Sequence, residues 1–226
     1  MSGARHGRDV KTLAQAWGEF RAKRSPKLIA LGIAATLAVR LVVGGFSWRD
    51  LVAVAAMLVV YPFGEWAIHV YLLHLKPFAL RGKPVELATA RAHREHHEQP
   101  NDLFMILLAP SEAAALMFLA VPVVPALAGL MIALAGGDVP YGALIAAVLA
   151  GQVLVAIYEW THFLIHTAYR PRSRYYRSIW RNHRLHHFKN EHYWHGITNT
   201  LGDRALGTMR DQRDVPRSAT ARTLTP

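Results

Sequence analysis

Hydrophobic and polar positions in this chain are segregated into long blocks. Apolar runs occupy roughly 28–46, 51–75, 103–135 and 141–168, with basic or mixed polar segments between them. A helix needs about 20 mainly apolar residues to cross the hydrocarbon core of a bilayer, so the pattern predicts four transmembrane helices. Gly44-Gly45 breaks the first pair and Gly136-Gly137-Asp138-Val139-Pro140 the second, giving two helical hairpins. Pro110, Pro122 and Pro125 fall in the third run and predict a kink, or a split into two shorter helices. Secretory leaders carry shorter apolar cores and a small-residue cleavage site; Lys27 to Gly45 reads instead as a first membrane anchor.

The flanking segments read differently. In the basic stretch 1–26, Leu13, Trp17 and Phe20 are spaced for one face of an amphipathic helix on the membrane surface. Residues 27–210 form the expected membrane domain. Residues 211–226 are rich in Arg, Thr, Ser and Pro, and are expected to be a disordered tail.

Charge settles the orientation. The formal net charge of +11 raises nucleic acid as a partner, but its distribution argues against one. Of 26 Lys and Arg, seven precede or abut the first run, five lie between the second and third, and twelve follow the fourth. The positive-inside rule then puts both termini and the 76–102 loop in the cytoplasm, and anionic headgroups account for the basic excess. Compact length and no organelle signal suggest a bacterial inner membrane, with a reticulum membrane as the alternative. The chain has no cysteine, hence neither disulfides nor a thiolate metal site.

This topology collects the histidines. Ten of the thirteen fall in four clusters: His69 and His74; His93, His96 and His97; His162 and His166; His183, His186 and His187. Arg91-Ala92-His93-Arg94-Glu95-His96-His97 is nearly repeated as Arg181-Asn182-His183-Arg184-Leu185-His186-His187, and Glu65-Trp66 and Glu159-Trp160 introduce the other two clusters. All four sit at cytoplasmic span ends or in cytoplasmic segments. Positions i, i+3 and i+4 share a helical face, so each H-x-x-H-H can aim imidazoles at one buried point. His69 and His74 are five apart, about 140° around an ideal helix; they need a local distortion or serve different metals. Ten imidazoles exceed the four ligands of a structural zinc site and suggest two ions. Imidazole suits zinc, copper, iron and nickel; a site reachable by cytosolic reductant and by lipid suits iron and oxygen, with zinc able to occupy it in purified protein.

The four spaced motifs closely resemble those of the fatty acid hydroxylase and sterol desaturase superfamily of integral membrane di-iron oxygenases, from about Glu65 to Thr208. His96-His97-Glu98-Gln99-Pro100-Asn101-Asp102 is similar to a segment of the fatty acid 2-hydroxylase branch, as is His186-His187-Phe188-Lys189-Asn190 with Gly196-Ile197-Thr198, Asp203 and Gly207-Thr208. The resemblance implies an all-α integral membrane fold: four transmembrane helices under a cytoplasmic helical cap with a dimetal site. It implies ligation of two iron ions by those ten histidines, with O2 as co-substrate and an acyl chain of a fatty acid or lipid as substrate for hydroxylation. Carotenoid or sterol hydroxylation or desaturation uses the same ligand set. A membrane metal transporter is the reading from another class, but Arg40, Glu112 and Gln152 are too few polar residues to line an ion path. No haem-binding H-P-G-G motif is present, so electrons are expected from a separate ferredoxin-like or cytochrome-type donor. Glu65 and Glu159 are expected to accept the second N–H of a ligating imidazole. His192 and His195 are not recurrent ligand positions and are placed around the site.

Overall fold

The computed structural model describes residues 6–225; Met1 to Arg5 of the basic N-terminal segment, and Pro226, lie outside them. The described residues are mostly helical. Four helices are long and apolar enough to span a membrane, at Arg24–Val43, Trp48–Leu73, Pro110–Leu134 and Tyr141–Ile165. In order the elements are α1 (Leu13–Ala22), α2 (Arg24–Val43), α3 (Trp48–Ala67, continued by a π-helical turn Ile68–Leu73), a hairpin of β1 (Phe78–Leu80) and β2 (Lys83–Val85), α4 (Ala88–Glu98), α5 (Pro110–Ala115), a π-helical turn Leu116–Ala120, α6 (Val121–Leu134), α7 (Tyr141–Ile165), α8 (Arg174–Phe188) and α9 (Leu201–Ala205). The chain forms two compact units.

One unit comprises Phe20–Tyr61 and Leu108–Glu159. Its apolar side chains are largely exposed, as in helices whose solvent is lipid, and the buried contacts are few: Ile29, Ala113, Met117 and Val155 make its core cluster. Small residues allow close approach. A Cβ on Gly32 would meet the Met117 side chain at 3.0 Å, and one on Gly151 would meet Val121 at 2.6 Å. Arg40 in the first span is buried but not an isolated charge: it pairs with Asp50 and donates to the Gly44 carbonyl at 2.7 Å. The third span is one continuous 25-residue helix, not a split pair. Pro122 has no N–H to donate, and its ring crowds the carbonyl four residues back. The π turn just before it absorbs that conflict without ending the helix. Residues 103–109, apolar enough to extend this run, instead form turns, with Leu103 and Ile106 buried.

The other unit comprises the chain up to Glu19, Pro62–Leu107 and Trp160 onward. Within α1, Ala16 is buried while Leu13 and Trp17 stay about half exposed, and Trp17 packs edge-on against Trp160 at 5.7 Å. The β1–β2 turn carries Arg81 and Gly82 at φ 51° and 75°, the left-handed pair a two-residue hairpin turn requires. At α8, Ser173 caps the start by accepting from Tyr176 N at 3.1 Å.

The C-terminal segment corrects the expectation of a disordered tail at 211–226. Val215, Ala221 and Leu224 are buried. Ser218 N donates to the Lys189 carbonyl at 2.8 Å, and the Ser218 and Thr220 hydroxyls donate to Glu191 at 2.9 and 2.5 Å. Composition suggested too little to pack, but three small or aliphatic side chains with backbone and hydroxyl bonds suffice to fix a strap.

Candidate metal centre

All ten clustered histidines belong to the second unit, and nine of them are buried; His74 is half-buried. They converge as two groups of five, each with ring nitrogens within 4.8 Å of one another: His69, His74, His93, His97 and His186, and His96, His162, His166, His183 and His187. The groups cut across the sequence repeat. In each H-x-x-H-H, the first and last histidines enter one group and the middle one enters the other. Positions i and i+4 lie about 40° apart on a helix, whereas i+3 lies about 100° from i+4, so α4 and α8 each exchange one imidazole.

His69 and His74 join the same group because of the π-helical turn. His74 N bonds the His69 carbonyl at 3.2 Å, an i→i+5 bond, and this wider turn brings residues five apart onto one face. Of the two alternatives that the spacing left, a local distortion or different metals, the structure shows the distortion.

Backbone carbonyls fix the rings. His69 Nδ1 lies 2.7 Å from the His195 carbonyl, His186 Nδ1 2.8 Å from that of Tyr193, His97 Nδ1 2.9 Å from that of Ala221, and His162 Nδ1 3.1 Å from that of Ile106. A carbonyl only accepts, so each Nδ1 carries the proton and each Nε2 turns an unshared pair inward. Between the Tyr193 and His195 carbonyls sits Trp194 at φ 58°, a strained conformation for a bulky residue. It is held by Trp194 Nε1 donating to the Arg210 carbonyl at 3.0 Å.

The inward nitrogens fit metal ions. Among the described residues, Nε2 of His69, His74, His93, His97 and His186, and both ring nitrogens of His96, are buried with no hydrogen-bond partner, which is costly unless something else binds them. His183 Nε2 lies 3.0 Å from Nε2 of both His166 and His187. Two imidazoles bound at about 2.0–2.1 Å and at right angles would be about 3 Å apart. Burial, ahead of repulsion from neighbouring imidazoles, holds His74, His93, His96, His166, His183, His186 and His187 well below the ordinary histidine range. Burial also lowers His97 to about 4, with the Ala221 bond opposing. Near neutral pH these rings are uncharged, as ligation requires.

The two glutamates are placed differently from expectation: neither is hydrogen-bonded to an imidazole. Glu65 Oε1 accepts from Ile197 N at 2.6 Å and Thr198 N at 3.0 Å, with Thr198 Oγ1 donating to Oε2. Glu159 Oε1 accepts from Ser25 Oγ at 2.5 Å and Leu108 N at 3.2 Å. Each carboxylate thus holds a loop two or three residues along from a carbonyl, of His195 or Ile106, that orients a histidine. At His69, His97, His162 and His186 the Nδ1 position is taken by main chain instead. Asp203 completes the first loop, accepting from His195 N at 2.9 Å, Gly196 N at 2.8 Å and Thr208 Oγ1 at 2.6 Å.

His195 is buried but belongs to neither group, and the His192 side chain is 65% exposed. Both line a cavity of about 230 Å³ that reaches His74, together with Trp66, Val70 and Leu224. The Ala221 carbonyl had no signal in the sequence, because a main-chain acceptor carries no residue type.

Against known proteins, the sequence model of the fatty acid hydroxylase family matches residues 54–208. The chain belongs to the fatty acid hydroxylase family. This family member is 26% identical over 155 residues to dihydroceramide fatty acyl 2-hydroxylase FAH2 of Arabidopsis thaliana, covering 68% of this chain and 60% of that protein. To FAH1 of the same plant it is 25% identical over 168 residues, covering 73% and 64%. It thus spans about three-fifths of the length of the curated relatives it matches. Its fold is similar to that of the hydroxylase domain of full-length scs7p, with a TM-score of 0.60 and 19% identity over 85% of this chain and 66% of the other.

Proposed function

We propose that this protein is a membrane oxygenase that hydroxylates the acyl chain of a fatty acid or lipid, with two iron ions held by the ten histidines. The observation that carries this reading is the pair of five-imidazole groups with inward, unpartnered nitrogens in a chain of this family. Its relatives' names point to acyl lipids as the substrate class. Iron, when bound, supplies the activation of O2 and oxidation of an unactivated C–H bond. The balance is R–H + O2 + 2 electrons + 2 protons → R–OH + water.

The chain's own residues do the rest. The His195, Tyr193, Ala221 and Ile106 carbonyls fix tautomer and ring orientation at His69, His186, His97 and His162. Burial keeps the imidazoles neutral and water out. The cavity beside His74 admits a chain end or O2, with His192 and His195 in its wall. Four spans place the protein in a membrane. The basic loops favour cytoplasmic termini and a cytoplasmic centre. Electrons come from a separate donor.

The test is comparative lipid mass spectrometry of cells with the protein, without it and with His74→Ala/His186→Ala, which removes two imidazoles from one group. The expected result is a lipid heavier by one oxygen atom that disappears in the variant. A lipid lighter by two hydrogens would indicate desaturation. An unchanged lipid profile with altered metal uptake would overturn the oxygenase reading.

A further inference from the structure

The proposed hydroxylation consumes two electrons per turnover, and with no cysteine this chain has no iron–sulfur cluster of its own. Nine of the ten imidazoles are buried and His74 is half-buried, so a docked donor passes its electrons through a wall of protein. Helix α8 is such a wall. One face carries His183, His186 and His187, all buried. At 100° per residue, Arg174, Arg177, Arg181 and Arg184 fall within an arc of about 80° on the opposite side. The two faces are one helix diameter apart, about 10–12 Å.

The two copies of the repeat treat their arginines differently. On α4, Arg91 and Arg94 are both paired with Glu86. On α8, among the described residues, no carboxylate lies within ion-pair distance of any of the four arginines. Asp211 acts on Arg181 electrostatically, but its own partner is Arg213 at 3.0 Å. The half-buried Arg184 guanidinium lies 4.9 Å from the Trp180 ring and 5.4 Å from that of Phe188. The ridge is flanked by two basic clefts, of about 460 Å³ with Arg181, Arg204 and Arg210, and about 310 Å³ with Arg8, Arg184 and Arg222. Each cleft is lined by several guanidinium groups, a charge complementary to carboxylate side chains.

We propose that the arginine ridge of α8 and its flanking clefts form the docking surface for an acidic one-electron carrier protein, iron–sulfur or haem. The proposal rests on the oxygenase reading. The carrier's carboxylates pair with Arg174, Arg177, Arg181 and Arg184, and each docked carrier passes one electron across α8 towards His183, His186 and His187. Charge complementarity of this kind acts mainly on encounter rate and weakens with salt.

The experiment compares the iron-loaded wild type with Arg174→Glu/Arg177→Glu/Arg181→Glu in neutral phosphatidylcholine nanodiscs. Binding of a plant-type ferredoxin and of the soluble domain of a cytochrome b5 is measured against salt, and hydroxylation is driven by either carrier or by dithionite with methyl viologen. The expected result is carrier binding weakened at least about tenfold with its salt dependence flattened, while iron content and methyl-viologen-driven hydroxylation stay at wild-type levels. Unchanged carrier binding in the variant, or no binding of either carrier to the wild type, would overturn the proposal. So would loss of iron, or loss confined to binding of phosphatidylglycerol vesicles. If no reductant yields product but carrier binding still depends on the ridge, docking stands and the oxygenase reading fails.

Discussion

Crossing of ligands between the two halves predicts an unusual pattern in double variants. Each group has five imidazoles; removing one leaves four, as many as a structural zinc site uses. A single alanine therefore weakens an ion without expelling it. Loss of an orienting partner alone costs 10–100-fold in metal affinity, so loss of a ligand costs at least that, about 1.4–2.8 kcal/mol at 1.4 kcal/mol per tenfold. A second deletion in the same group leaves three. His74→Ala/His186→Ala removes two from one group and none from the other, so it should retain one ion per chain. His186→Ala/His187→Ala removes one from each and should retain two weakened ions, although these residues are adjacent. The assay is iron per chain by plasma mass spectrometry after equilibration with chelators of graded strength. A centre divided along the sequence halves reverses both results, and that reversal would refute the assignment.

Three further outcomes follow. Glu65→Ala frees the Ile197–Thr198 turn and with it the carbonyl that orients His69; iron affinity should fall about 10–100-fold with all ten histidines intact, and wild-type affinity in the chelator titration would contradict this. Deletion of residues 215–226 removes the Ala221 carbonyl from His97 and the Arg222 guanidinium from the His97 carbonyl; one ion should weaken and the other hold, and equal retention of both would contradict the strap's role. In metal-free protein burial lowers the pKa values of His74, His93, His96, His166, His183, His186 and His187 well below 6.5, and that of His97 to about 4. The unfolded chain then binds more protons below about pH 6.5, so stability is fully present above that pH and is lost as pH falls towards 4, by up to about 1.4 kcal/mol per pH unit for each titrating histidine. Thermal unfolding of the metal-free protein in detergent that is flat from about pH 7 to 5 would contradict it.

Much of this architecture was legible in the sequence because it is written in residue type and period. Apolar runs of spanning length gave the four helices, and histidine spacing gave the clusters. The 69–74 spacing called for a local distortion or for different metals, and the π turn provides the first. What was not legible depends on main chain and on angle. The carbonyls of Tyr193, His195, Ala221 and Ile106 take the accepting role expected of Glu65 and Glu159, and any residue type can supply a carbonyl. That the middle histidine of each repeat crosses over follows from 100° of helix rotation combined with a tertiary arrangement that no local pattern encodes. The C-terminal strap was hidden by its composition: serine and threonine usually mark solvated chain, yet here Ser218 and Thr220 bind Glu191.

The most direct test of the account is a single-turnover reaction of the purified, iron-loaded protein in nanodiscs with an acyl lipid, dithionite-reduced methyl viologen and isotopically heavy dioxygen. The account predicts one heavy oxygen atom in a hydroxyl on the acyl chain, abolished by His74→Ala/His186→Ala. Product carrying oxygen from water, or a double bond without a hydroxyl, would contradict it.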